Sequence, residues 1–353
     1  MKTKSISRRI IRIVIRILIV PIALLTLLNI PIITLFKNTN DQYYGYWMSE
    51  NIDEETKVVD IAMLGAHDTF SYDINLFSPV DELSADSIMK GATGFLVKGF
   101  IVRQSVTQVS NIENLLLSGV RYLDIRLTYE EGNWYTKHNY VSNDFLEQTP
   151  MIVSFLDTHP GEFLILDFQH IHGVDYAIED DYNLFIDMLD ESGLMDYAYE
   201  VSDLSELTYG ELTNDKTEAK IIIISKFVAS TENVLYYNDS IRSNWANSDD
   251  FEQIFNYIQE DAVAISIERD YGRFRVMQGV ATMQMSGTGI LKALGSWSLI
   301  NRAKAFNDYL INVEDFEDLL VELPIVMVDY SDTEYKQFNT QIMEMIMDFN
   351  RNL

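Results

Sequence analysis

Eight short runs of strand-forming residues constrain what this chain can fold into more than any other feature. They are VVDIAML (58–64), RYLDIRL (121–127), NWYTKH (133–138), FLILDFQ (163–169), KIIIIS (220–225), AVAISI (262–267), RVMQGVATM (275–283) and IVMVDY (325–330). A strand with one wet face alternates apolar and polar residues, whereas a strand buried on both faces is apolar almost throughout. Most of these runs are of the second kind. Between them lie amphipathic stretches that predict helices over 109–118, 144–157, 177–192, 246–259, 299–310, 314–321 and 334–350. Strands of this kind alternating with helices predict an α/β fold on a parallel sheet. So many in one body predict a closed (β/α) TIM-type barrel. The barrel is expected to be irregular, because EEGN (130–133) turns 121–127 back on 133–138 as a hairpin.

Charge divides the chain unevenly. Residues 1–37 hold seven Lys or Arg and no acid, leaving 19 basic against 54 acidic residues in the remainder. A body so acidic repels nucleic-acid phosphates, so a nucleic-acid partner is not expected. The chain has no cysteine, which excludes disulfides, thiolate nucleophiles and Cys-ligated metals. Residues 17–36 carry no charge, and about 20 such residues cross a hydrocarbon core. With the basic cluster before them, they predict a single-pass membrane helix with the body outside the cell. A cleaved signal peptide is the rival, but KNTNDQYYGYW after Phe36 offers no small-x-small site; a helix lying on the membrane surface is the third reading. The expected organisation is therefore a basic segment and anchor (1–36), a tether (37–55) and a catalytic barrel (56–353). The tether's aromatics, Tyr43, Tyr44, Tyr46 and Trp47, would equally suit a first packing against the body.

Polar residues cluster where the runs end: His67 and Asp68, Asp124 and Arg126, His138, Asp167 and Gln169, Ser225 and Lys226, and Asp329. In a barrel the carboxyl ends of the strands form the active site. Charges within apolar runs are costly unless paired. Asp124 and Arg126, two apart on one strand face, would by themselves suit a structural ion pair. His159, before Pro160, reads as a surface loop residue. His170 and His172 read as hydrogen-bonded support at the barrel mouth, or as a metal-binding pair. IMEMIMDF (342–349) reads as a C-terminal helix covering the barrel.

Taken together, LGAHDTFSYDI (64–74), QSVTQVSNIENLLLSGVRYLDIRL (104–127), KHNY (137–140) and FLDTHPGEFLILDFQH (155–170), in this order, resemble the X domain of phosphatidylinositol-specific phospholipase C, in its bacterial, metal-independent form. The resemblance implies a phosphodiesterase that cleaves an inositol phospholipid or related phosphodiester into a cyclic inositol phosphate and diacylglycerol. It implies His67 as general base, His138 as general acid and Arg126 as the clamp on phosphate. By the same resemblance Asp68 steadies His138, Asp329 steadies His67 and Asp124 holds Arg126. Lys226 is the candidate substrate contact. Imidazole, with an ordinary pKa near 6.5, suits a base and an acid that exchange roles at neutral pH, and a guanidinium grips phosphate without a metal. No metal or cofactor is expected, because a cation at Arg126 repels calcium. A monomer acting on a phospholipid or glycolipid is expected. Asn139 stands where the family has Gly, and Asn tolerates left-handed dihedrals. A glycerophosphodiester phosphodiesterase-like enzyme is the alternative, although its His-Arg-Gly opening and Glu-x-Asp strand are absent from the sequence. A catalytically inactive binding module on the same fold is the second alternative.

Overall fold

The computed structural model describes residues 43–83, 89, 91–231, 233–284, 286–296 and 298–353, with Ile19 and Ala23 apart from them. The expected anchor at 17–36 lies outside the described residues but for these two. Among the described residues no helix is long and apolar enough to cross a membrane.

The strands are β1 (Met63–Ala66), β2 (Val120–Glu130), β3 (Asn133–His138), β4 (Tyr140–Asp144), β5 (Phe163–His172), β6 (Lys220–Ser225), β7 (Val234–Tyr236), β8 (Ile241–Asn244), β9 (Phe274–Gly279) and β10 (Ile325–Val328). They pair in the order β7-β6-β5-β2-β1-β10-β9-β8. Every pairing along that path is parallel, while β3 and β4 extend antiparallel from β2. β1, β6 and β10 are buried at almost every position, as their unbroken apolar runs require.

The expected closed barrel is corrected to a curled parallel sheet whose hydrogen-bonded path stops at β7 and β8. Only the helix Tyr237–Ser240 joins those two strands. A parallel pairing of consecutive strands needs a crossover of about a dozen residues or more, so this connection cannot bring them side by side. AVAISI is also corrected, from strand to helix. It ends the helix Phe251–Glu268, which is capped by the Asp250 side chain and stopped by Arg269 in the left-handed region. Ile254, Ile258, Ala262 and Ile265 face inward at helical spacing, while Val263 and Ile267 face solvent. Period outweighs β-branched composition here. Val58, Val59, Ile61 and Ala62 are buried ahead of β1 but outside it, and residues 280–283 lie beyond β9.

The amino ends of the strands are closed by chain on both sides of the barrel sequence. From Tyr43 onward the segment expected as a tether packs against the body. Trp47 and Met48, in the helix Trp47–Asn51, are buried, and the Trp47 indole N–H donates to the Gly119 carbonyl at 3.0 Å. Beneath them Arg121 donates to Glu162 through Nε (2.8 Å) and Nη2 (2.7 Å), and to the carbonyls of Leu116, Val120, Tyr44 and Gly45. Glu162 in turn accepts from the Ser49 N–H. His159, expected on the surface, is buried here. Its ring stacks on Phe155 at 4.2 Å and its Nε2 lies 2.7 Å from the Tyr43 hydroxyl. Aromatics arriving from the N-terminal segment cover it, which sequence neighbours alone do not show. The C-terminal helix Phe338–Arg351 covers the same end, burying Ile342, Met343 and Ile346.

Candidate active site

The carboxyl ends of β1, β2, β3 and β10 converge. His67 and Asp68 follow β1 directly, Asp124 and Arg126 lie within β2, His138 ends β3 and Asp329 follows β10. The structure brings these six predicted residues together. The two imidazoles lie with ring centres 6.0 Å apart and planes 71° apart.

Each imidazole has one nitrogen fixed by an acceptor. His67 Nδ1 donates to Asp329 Oδ1 at 2.7 Å. His138 Nδ1 donates to the Ser105 carbonyl at 2.7 Å. Their Nε2 atoms both turn to Asp68, whose Oδ2 lies 3.3 Å from His67 Nε2 and 3.2 Å from His138 Nε2. Asp68 thus stands between the histidines, where the sequence assigned it to His138 alone. Arg126 completes the cluster. Its Nε lies 2.5 Å from Asp68 Oδ1, and its Nη2 donates to Asp124 Oδ2 at 3.1 Å and lies 2.9 Å from His67 Nε2.

Local backbone geometry serves this convergence. Asp68 adopts a φ of 42° and Asn139 a φ of 60°, so the chain turns sharply just after each histidine. Asn139 takes this left-handed shape at low cost, and its amide donates to Ser105 Oγ at 3.2 Å. The Asp68 N–H donates to Asp124 Oδ2 at 3.0 Å, and Gln169 Nε2 donates to Asp124 Oδ1 at 3.0 Å. Asp124 is thereby saturated, as a buried carboxylate must be.

The electrostatics distinguish the two histidines. Burial opposes charge on His67, but Asp68 and Asp329 outweigh it and hold its pKa above the ordinary value. Burial pushes His138 below its ordinary value, with Asp68 pulling the other way without offsetting it. Burial would also neutralise Asp124, yet Arg126 and His67 hold its carboxyl well below the usual range. Asp167, buried and close to the Asp124 charge, is pushed up to about 8, and the Tyr122 hydroxyl donates to it at 2.5 Å. His170 is pushed down to about 3 by burial and then by Arg126.

A cavity of about 850 Å³ opens over the cluster, lined by His67, His138, Arg126 and Asp329, with Gln169, His170, Lys226 and Tyr237 on one side. Lys226, the predicted substrate contact, lies there with Nζ 4.8 Å from the centre of the Tyr237 ring. His170 and His172 have separate settings. His170 lines the cavity, while His172 Nδ1 lies 3.0 Å from Asp81 Oδ2 and 3.0 Å from Lys137 Nζ.

His67, Asp68 and Asp124 bring donor atoms within 4.8 Å of one another, a spacing that a cation would bridge. Arg126 is already that cation, since its guanidinium reaches all three. The donor set is therefore occupied by a fixed positive charge and does not fit a divalent metal.

Paired histidines, carboxylates and an arginine at the carboxyl ends of a parallel β/α sheet form a site equipped for acid–base chemistry on an anionic group. Comparison with known proteins agrees. No family model matches the chain. PI-PLC X domain-containing protein 2 of Mus musculus is 24% identical over 227 residues, covering 63% of this chain and 64% of that protein. PI-PLC X domain-containing protein 3 of Danio rerio is 26% identical over 256 residues, covering 69% and 76%. The variant-surface-glycoprotein phospholipase C of Trypanosoma cruzi is 29% identical over 131 residues, about a third of each chain. In fold, the phosphatidylinositol-specific phospholipase C from Listeria monocytogenes matches with a TM-score of 0.58 at 18% identity, covering 86% of this chain and 98% of that one. A mutant of the Staphylococcus aureus enzyme matches at 0.59 and 12%, covering 88% and 99%. The chain is thus similar in sequence to PI-PLC X domain-containing proteins and in fold to bacterial phosphatidylinositol-specific phospholipases C.

Sequence reasoning missed several residues of the site. Ser105 acts through its carbonyl, which any residue would supply, so its identity carries no signal. Tyr237 lies on a four-residue helix between two very short strands, too brief for any period to show. Gly91–Ser105 and Gly287–Ser296, which wall the cavity, interleave glycine with apolar residues and so read as neither helix nor strand.

Proposed function

We propose that this site cleaves an inositol phospholipid, or a related phosphodiester bearing a neighbouring hydroxyl, by intramolecular attack. His67 Nε2 takes the proton of the inositol 2-hydroxyl, and that oxygen bonds to phosphorus. The bond from phosphorus to the glycerol oxygen breaks, and His138 Nε2 gives its proton to the leaving oxygen. A cyclic inositol phosphate and diacylglycerol result. Arg126 grips the phosphate oxygens as charge builds on them, a stabilisation needing no metal. Asp329 and Asp68 orient the imidazoles, Asp124 holds Arg126, and Lys226 faces the head group. The observation that carries this reading is the convergence of two separately anchored imidazoles on one guanidinium at the mouth of a cavity.

The resting site prefers its proton on His67, by the opposed pKa directions of the two rings. Reaction needs it on His138. Asp68 Oδ2, within 3.3 Å of both Nε2 atoms, is placed to pass it between them. Only the minor form reacts, so kcat/KM falls on both sides of a maximum, and its two limbs belong to the coupled pair.

The membrane placement rests on sequence. The uncharged run at 17–36 behind a basic cluster supports a single-pass anchor with the catalytic body outside the cell. The acidic body would otherwise be repelled by anionic lipid, and tethering raises its local concentration at the bilayer.

The test is turnover of phosphatidylinositol in mixed micelles by the full chain with excess chelator. Activity is expected to persist in chelator and to be lost in both His67→Ala and His138→Ala. Loss on chelation contradicts Arg126 as the resident cation. Full activity in both histidine variants contradicts the acid–base assignment.

A further inference from the structure

The chain enters the body at the end opposite the catalytic residues, and it is fixed there from Tyr43 onward. The Tyr44 N–H donates to the Leu117 carbonyl at 2.8 Å and the Trp47 indole to the Gly119 carbonyl at 3.0 Å, both just ahead of β2. Ser49 joins the approaches to two further strands. Its N–H donates to Glu162 Oε1 at 3.0 Å, ahead of β5, and its carbonyl accepts from Lys216 Nζ at 3.2 Å, ahead of β6. Arg121 donates to the carbonyls of Tyr44 and Gly45, and Trp47 and Met48 are buried. Undocking this segment would bare two buried side chains and strip a buried arginine of two acceptors, so the tether does not lengthen at its expense. Six residues, 37–42, then separate the uncharged run from the docked segment. Even fully extended, the chain from Phe36 to Tyr43 spans at most about 25 Å. A body the size of residues 43–353 is roughly 50 Å across. His67, Asp68, Arg126 and His138 stand at the carboxyl ends of their strands, across that body from the entering chain. To set them on the leaflet that holds the anchor, the body must turn its base outward, and the tether must climb most of its width. It reaches about half of that distance.

We propose that the protein is anchored base first and acts away from its own leaflet, on an inositol phosphodiester presented from outside, on a facing membrane or in solution. The inference rests on the anchor and the reaction proposed above. The tether concentrates the body at the bilayer and also fixes which end faces it. Tethering speeds a second encounter only where geometry lets both ends engage at once. Lipids of the anchoring leaflet fail that condition, because the docked segment from Tyr43 to Ser49 holds the wrong end of the barrel toward them. Phosphodiesters arriving from the other side meet the open cavity directly.

The test reconstitutes the full chain, body outward, in dilute vesicles holding at most one molecule each. One set carries phosphatidylinositol in the same bilayer. A second lacks it and meets phosphatidylinositol in separate vesicles, and a third meets monomeric dihexanoyl-phosphatidylinositol. Beside the native chain runs a variant with a flexible Gly/Ser insert of about 30 residues between Gln42 and Tyr43, whose root-mean-square span of about 30 Å supplies the missing reach. The native chain is expected to cleave lipid of its own bilayer at least about tenfold more slowly than the extended chain, while both cleave the monomer equally. Cleavage in separate vesicles by the native chain identifies a facing membrane as the source, and cleavage of the monomer alone identifies dissolved lipid. Equal rates of the native and extended chains on their own bilayer overturn the base-first arrangement and leave the reaction intact. A full chain that alkaline carbonate washes off the vesicles overturns the anchor and this inference with it. Failure of both chains to cleave the monomer overturns the proposed reaction.

Discussion

Two arginines five residues apart on β2 have opposite fates. Arg121 points to the amino end of the barrel, is fully buried, and spends its Nε, Nη1 and Nη2 on Glu162 and four carbonyls. Arg126 points to the carboxyl end, keeps part of its side chain exposed at the cavity, and shares its donors among two carboxylates and a titratable imidazole. Both are ion pairs in apolar surroundings. The first is saturated by one buried carboxylate and four backbone carbonyls, which makes it architecture. The second borders two histidines and a cavity, which under the proposed function makes it machinery. Burial and pairing alone do not distinguish the two; the chemistry of the partners and the open space do.

The comparison is broken or sharpened by substitution at each end. The largest effect is expected at the mouth. His67→Ala and His138→Ala should each lower kcat by about 10²–10⁴-fold with the thermal unfolding midpoint little changed. Arg126→Gln should follow, at about 10²–10³-fold in kcat, the range for losing one preorganised donor to developing charge. Arg121→Met should reverse the pattern. Leaving Glu162 buried and unpaired should cost about 3–5 kcal/mol of stability, read by denaturant unfolding, with activity per folded molecule close to that of the native chain. An Arg121 variant that folds normally and loses catalysis would erase the distinction.

A subtler effect is expected in the pH profile. With His67 raised and His138 lowered, the alkaline limb of kcat/KM should lie above the ordinary histidine value of about 6.5 and the acidic limb below it. Asp329 raises the His67 pKa, so Asp329→Asn must lower it and move the alkaline limb to lower pH, narrowing the bell. Movement of the acidic limb instead would mean that the resting proton sits on His138. The smallest effect is expected at Asn139. Its φ of 60° suits Gly at least as well, so Asn139→Gly should change stability and kcat by less than about twofold in either equilibrium or rate, whereas Asn139→Val should lose activity by displacing His138.

Much of this was legible in the sequence, for a physical reason. β6 and β10 are buried at almost every position, so their unbroken apolar runs could mean little else, and polar residues at the ends of such runs marked the mouth. His67, Asp68, Asp124, Arg126, His138 and Asp329 all sat at those ends. What was not legible depends on three-dimensional neighbours. AVAISI has strand composition but lies on a helix whose inward face is set by Ile254 and Ile258. His159 is buried by Tyr43 and Tyr46, more than a hundred residues earlier in the chain. Asp68 lies within reach of both histidines because β3 folds back on β2, the neighbour of β1, a juxtaposition that spacing alone does not encode. The open seam between β7 and β8 follows from two strands of three and four residues, below the length at which a pattern can be read.

The central claim is that two imidazoles and one guanidinium drive intramolecular displacement at phosphorus. It is tested most directly by ³¹P NMR of the products formed from phosphatidylinositol by the full chain in excess chelator. The account predicts that a five-membered cyclic inositol phosphate resonance appears first and that any acyclic inositol phosphate follows from it. An acyclic product formed at the outset with no cyclic precursor, or a reaction that stops when the chelator is added, would contradict it.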